Sequence, residues 1–210
     1  MNTPAAVLVL LLAASFIARA DNWIQNGDFS SGLDHWHGQA KTPADVAPSD
    51  PFAKPDPLLT QGAIFQLKSQ DRIKIEQDFR TKSSTLYLTV TYKVSPDLAF
   101  STNIDDYTNI PSHIDYGAYR AFNLKPGNWL IFFTDFGGDK GLIGTYTYIK
   151  PKVGSTDPQT FRDKITGLVP LEDKTLCIAF PPGTGTVVLL NVSLTDQPDD
   201  SSSPAPAPAQ

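Results

Sequence analysis

Between Asp21 and Thr195 hydrophobic and polar residues alternate with a period of two. Leu86, Leu88, Val90, Tyr92 and Val94 share one face of a segment whose other face carries Tyr87, Thr89, Thr91 and Lys93. From Arg72 to Arg80, Ile73, Ile75 and Phe79 alternate with Lys74, Glu76 and Asp78. Val188, Leu190, Val192 and Leu194 likewise fall on one side of Val187–Leu194. Alternation of this kind marks half-buried β-strands. Further strands are predicted over Ala63–Lys68, Tyr119–Leu124, Trp129–Phe136, Tyr146–Ile149 and Thr175–Phe180. Turn chemistry divides them at Pro126-Gly127-Asn128, Gly137-Gly138-Asp139 and Pro181-Pro182-Gly183.

Helix signals are scarce. Asp157-Pro158-Gln159 reads as an N-cap with proline at the first helical position, and Phe161 and Ile165 follow at i, i+4, which predicts one short helix or turn. Thr42 to Leu59 carries prolines at positions 43, 48, 51, 55 and 57 and predicts an irregular loop, because proline cannot donate to a strand ladder.

The ends differ from the middle. Ala5 to Ile17 is an apolar run followed by Ala18-Arg19-Ala20, the pattern of a secretion signal over residues 1–20. No Lys or Arg precedes the apolar run, and that run is shorter than the roughly 20 residues a membrane-spanning helix needs. A secreted or periplasmic location without membrane insertion is expected, with a folded domain over residues 21–195. Residues 196–210 end in Pro204-Ala205-Pro206-Ala207-Pro208-Ala209 and read as a solvated, disordered tail.

Composition narrows the function. Across 210 residues, 40% are hydrophobic and 10% aromatic, enough to build a core. The net charge of -5 and the absence of a Lys/Arg cluster argue against nucleic acid as a partner. Cys177 is the only cysteine, so no disulfide can form within the chain. It lies in the apolar run Leu176–Phe180 and reads as a buried small hydrophobe rather than a nucleophile.

The first residues after the expected cleavage site carry a resemblance. Asn22 to Trp36 contains Asn26-Gly27-Asp28-Phe29 and, after a glycine-containing loop, Trp36. This resembles the opening of carbohydrate-binding modules of the family 4 and 9 type, in the galactose-binding-like jelly-roll superfamily. Ala63–Leu67, Ile75–Phe79 followed by Leu86–Val90, and the closing Leu190-Asn191-Val192-Ser193-Leu194 resemble later strands of the same modules in the same order. The resemblance implies an all-β jelly-roll sandwich of two antiparallel sheets. It also implies a calcium site near the first turn and the closing strand. Here the family's glutamate and aspartate are replaced by Ser30 and Asn191, which leaves Gly27, Asp28, Ser30 and Asn191 as a weakened set of oxygen ligands.

Sugar recognition needs flat rings against the apolar sugar face, and amide, Arg or carboxylate groups for the hydroxyls. Candidates are Gln77, Tyr92, Tyr116, Tyr119, Arg120, Trp129, Tyr146 and Tyr148, each of which core or sheet packing would equally accommodate. Trp36, near Leu33, reads as a cap on one end of the sandwich. His35 and His37 would share one face of a strand, where an exposed pair is the commoner outcome than a metal site. Asn191-Val192-Ser193 matches a glycosylation sequon but sits in a predicted strand. No serine elbow, zinc-protease helix, phosphate loop or nucleotide fingerprint is present.

The expected protein is therefore a secreted, monomeric, non-catalytic module that binds polysaccharide or oligosaccharide and needs no cofactor unless calcium. A sandwich serving structure or protein interaction is the alternative. A small glycan hydrolase built on paired carboxylates is a third.

Overall fold

The computed structural model describes residues 21–49, 54, 56–68, 73–101, 127–135, 143–155 and 157–198. The predicted leader, the strand predicted over Tyr119–Leu124, the Gly137-Gly138-Asp139 turn and the chain beyond Pro198 lie outside the described residues. Alternation becomes strands in chain order: β1 (His37–Gly38), β2 (Ala63–Gln66), β3 (Ile73–Arg80), β4 (Thr85–Val94) and β5 (Ala99–Phe100). They are followed by β6 (Trp129–Asp135), β7 (Ile143–Ile149), β8 (Gln159–Thr166), β9 (Asp173–Phe180), β10 (Gly183–Thr184) and β11 (Thr186–Thr195).

Among the described residues, one sheet has five strands in the order β1-β3-β9-β6-β7 and the other four in the order β2-β11-β4-β8, with β10 and β5 forming a separate pair. Every pairing is antiparallel. The result is an all-β sandwich of two antiparallel sheets. Its core lies between the two sheets. The β4 stripe of Leu86, Leu88, Val90, Tyr92 and Val94 belongs to the same buried cluster as Ile75, Phe79, Ile131, Phe133, Leu176, Ile178 and Phe180 of the opposite sheet. Each such side chain contributes about 1.5–3 kcal/mol by leaving water, which suits a fold with no disulfide.

Two expectations are corrected. Gln159–Thr166 is a strand, not a helix, and pairs along its length with β4 from Thr166↔Thr85 to Gln159↔Tyr92. The spacing of Phe161 and Ile165 is even, so it satisfies a two-residue period as well as a helical one, and the ladder with β4 decides. The second correction concerns β11. A register shift between Leu189 and Asn191 inserts an extra residue. Val187 and Leu189 face the core before it and Val192 and Leu194 after it. A bulge changes which face a strand presents, so Val188 and Leu190 do not share the side of Val192.

The opening turn is built differently from a simple Asn-Gly reversal. Positive φ falls on Asn26 (48°) and Phe29 (57°), not on Gly27. Asn26 tolerates this conformation, but a bulky aromatic seldom adopts it. Phe29 is held there by burial and by Trp36, whose ring centroid is 5.4 Å away. Gly27 serves close approach instead: a Cβ on it would stand 2.0 Å from the Val192 carbonyl oxygen. The Gly27 carbonyl accepts the Val192 N–H at 2.8 Å. Trp36 donates its Nε1–H to the Asn26 carbonyl and is buried in the core cluster.

The Pro-rich segment contains two short 3-10 turns, Pro43–Val46 and Pro57–Leu59, both entered through proline. No helix among the described residues is long and apolar enough to cross a membrane.

Candidate functional site

The residues proposed to meet a sugar are separated by the sandwich. Trp129 is 1% exposed, stacked on Phe180 with ring centroids 4.5 Å apart and edge-on to Tyr92 at 5.1 Å. Tyr92 is buried in the same cluster, and its hydroxyl donates to Gln159 Oε1 at 3.3 Å. Burial pushes the Tyr92 phenol pKa up. Gln77 points inward with Ile75 and Phe79, and its amide grips the backbone of Gln25: Nε2 donates to the Gln25 carbonyl at 2.9 Å, and Oε1 accepts the Gln25 N–H at 2.6 Å. Gln77, Tyr92 and Trp129 are therefore core residues. Period-two patterning fixed their phase correctly, but the face they occupy is the packed one.

Tyr116, Tyr119 and Arg120 lie outside the described residues. Tyr146 and Tyr148 remain on β7. Tyr148 is half-buried and stands opposite Leu130 of β6, while Tyr146 holds the register position opposite Phe132.

Following the register outward gives two rows across the five-stranded sheet. The first runs Lys74, Ala179, Leu130, Tyr148. The second runs His37, Glu76, Cys177, Phe132, Tyr146. Residues directly opposite in an antiparallel ladder share a face, and Lys74 and Tyr148 are three strand spacings apart, about 14 Å. The polar end is ordered: Lys74 Nζ donates to Glu76 Oε1 at 2.7 Å, with both side chains 28% exposed. His37 is exposed beside them. Further along β3, the Thr175 hydroxyl donates to Asp78 Oδ1 at 2.5 Å. The middle of the face is closed to solvent, since Leu130 is 5% exposed and Cys177 fully buried. Burial first, then the Glu76 charge, raises the Cys177 pKa well above its ordinary value, which keeps it a thiol rather than a nucleophilic thiolate.

Sequence reasoning, which weighed His37 only as one of a histidine pair, passed over Lys74 and Glu76. The signal was present in their alternation with Ile73 and Ile75, but charged residues opposite an apolar stripe read first as a solvated surface.

The calcium ligands do not fit the ion. Asp28 is fully exposed, and its Oδ1 already accepts the Ser30 N–H at 3.2 Å and the Ser30 hydroxyl at 2.9 Å. Those two bonds lower the Asp28 pKa. The Gly27 carbonyl is occupied by Val192, and Asn191 sits within the β11–β4 ladder opposite Thr91. Calcium takes six to eight oxygens with several anionic among them. Among the described residues no group of three or more carboxylate, His or Cys side chains forms. The expected histidine pair is also divided: His35 lies in a turn at φ 70°, whereas His37 belongs to β1.

No protein-family profile matches the chain, and no curated protein matches it. Solved structures similar to it include a family 61 carbohydrate-binding module in complex with β-1,4-galactotriose, with 8% identity, TM-score 0.49, and 85% of this chain and 100% of that chain covered. A family 16 carbohydrate-binding module has 13% identity and TM-score 0.46 over 83% of this chain and 100% of that one. A family 4 module has 14% identity and TM-score 0.44 over 83% and 99%.

Proposed function

We propose that this chain is an exported, monomeric, non-catalytic module that binds polysaccharide at the outer face of its five-stranded sheet. The observation that supports the reading is the register that sets Tyr148 at one end of a cross-strand row and Lys74, beside Glu76 and His37, at the other. A ring supplies a surface for the apolar side of a sugar, and the ammonium and carboxylate supply a donor and an acceptor for its hydroxyls. A rigid ladder holds both ends at fixed spacing, which lowers the entropy lost on binding. The sequence carries no nucleophile or cofactor motif, and the one cysteine is a buried thiol.

A second reading, a protein-interaction or structural sandwich, is favoured by one observation: three of the aromatic and amide candidates are packed inside, and the centre of the outer face is closed. A glycan array probed with the purified full chain separates the two. Binding to a polysaccharide that Tyr148→Ala weakens about tenfold or more supports the first. A folded sample that binds no glycan defeats it and leaves the second.

A further inference from the structure

One cleft lies off the rows of the proposed binding face. It has a volume of about 550 Å³ and is lined by Gln25, Asp78, Phe79, Arg80, Asp173 and Lys174. This falls within the 300–1,000 Å³ typical of small-molecule sites. Two carboxylates and a guanidinium in its lining are exposed, those of Asp78, Asp173 and Arg80. Lys174 is fully buried, with Glu172 3.8 Å from its Nζ, while Arg80 and Asp173 are exposed 3.9 Å apart.

Arg80 joins this cleft to a strained residue. Its Nε donates to the Leu171 carbonyl at 2.6 Å, and the Leu171 N–H donates to the Thr81 carbonyl at 2.7 Å. Leu171 is thereby pinned at φ 65° while the residue is 55% exposed. A leucine gains nothing from burial in that state, yet is held in a backbone region that disfavours it. An exposed leucine is thus tied through its backbone to an arginine of the cleft.

We infer that this cleft is a binding site for a single hydroxyl-rich ring, the terminal residue of a saccharide chain. The inference rests on the carbohydrate reading above and deepens it. Carboxylates only accept hydrogen bonds, a guanidinium only donates, and a hydroxyl does both. A polyol ring therefore satisfies both sets at once. A simple anion would meet Asp78 and Asp173, and a simple cation would meet Arg80. With Nε anchored to Leu171, the guanidinium keeps four further N–H donors. Position agrees with chemistry: Glu76, Asp78 and Arg80 alternate along one side of β3, and Glu76 to Arg80 is about 13 Å at strand rise. A saccharide lying across the sheet face meets the cleft at its end.

The test is an amide-resonance titration of the isotope-labelled full chain with methyl β-D-glucopyranoside, methyl β-D-galactopyranoside and methyl β-D-xylopyranoside, each separately. Saturable shifts at Gln25, Phe79, Leu171 and Lys174 with at least one probe are expected. Arg80→Met should weaken that response about tenfold or more, the scale of one lost charged hydrogen bond. Asp173→Asn, at an exposed position that leaves Leu171 anchored, should weaken it as well. Glu76→Gln on the sheet face should not change it. Shifts confined to Lys74, Glu76 and Tyr148 would overturn the cleft while leaving the sheet face intact. Polysaccharide binding with no response to any single ring would do the same, as would a saturable response at the cleft to inorganic phosphate alone. A folded chain that binds no saccharide at all removes the cleft together with the reading it rests on.

Discussion

Gln77 clamps Gln25: one side-chain amide, fifty-two residues away in the chain, takes both the N–H and the carbonyl of a single residue of the N-terminal segment. The amide thereby completes a backbone ladder where no strand is present to do so. Gln77→Ala should destabilise the domain by about 1–3 kcal/mol, since both Gln25 groups lose their partner. Urea unfolding measures this. A variant as stable as the parent would show that the clamp is ornamental.

Trp129 predicts a contrast between two substitutions. Its indole is packed between Phe180 and Tyr92, and its Nε1–H has no hydrogen-bond partner. Trp129→Ala should cost about 3–5 kcal/mol through the cavity it leaves. Trp129→Phe keeps a ring and removes a buried donor without a partner, so it should cost clearly less. Thermal melts of the pair decide, and equal losses would contradict the packing described.

Gly27 and Gly154 should respond differently to alanine. At Gly27 the new Cβ meets the Val192 carbonyl oxygen at 2.0 Å, which the Gly27–Val192 hydrogen bond cannot accommodate without the turn moving. A loss of about 3 kcal/mol or failure to fold is expected. Gly154 has φ 90° with no atom near its Cβ position, so only backbone strain of about 1–2 kcal/mol applies. Comparing denaturation midpoints checks the order.

Acid should loosen the turn. Asp28 is held below its ordinary pKa by the Ser30 N–H and then its hydroxyl, and Asp45 by the Thr42 N–H and then its hydroxyl. A depressed folded-state pKa gives stabilisation that is present above the unfolded value, about 4, and lost as pH falls through the folded one. The parent should therefore lose melting temperature below about pH 4 more steeply than an Asp28→Asn, Asp45→Asn double variant. Parallel curves would rule out these two contacts as contributors.

Strand existence was legible because alternation survives in any register. The pairs Leu86/Leu88 and Ile75/Phe79 announce their own phase. What alternation does not carry is a change of phase: the bulge between Leu189 and Asn191 adds one residue without altering composition, so Val188 reads as a partner of Val192 when it is not. Nor does it distinguish helix from strand where apolar residues are four apart, as at Phe161 and Ile165. For the site, tyrosine and tryptophan are at home both in a core and on a sheet face. Tyr92 and Trp129 were therefore indistinguishable from Tyr148 until the opposite sheet was in place. Lys74 and Glu76 gain meaning only from the strands that align them with Tyr148.

The two ends of the domain are fastened to each other. Asn22 bridges Thr195, its Oδ1 accepts the Leu194 N–H, and the Trp23 N–H donates to the Leu194 carbonyl. Tension applied between Asp21 and Pro198 therefore falls first on this clasp, with the interior shielded behind it. If a captured polymer pulls against whatever holds the other end of the chain, the mechanical weak point is a handful of backbone bonds at the seam.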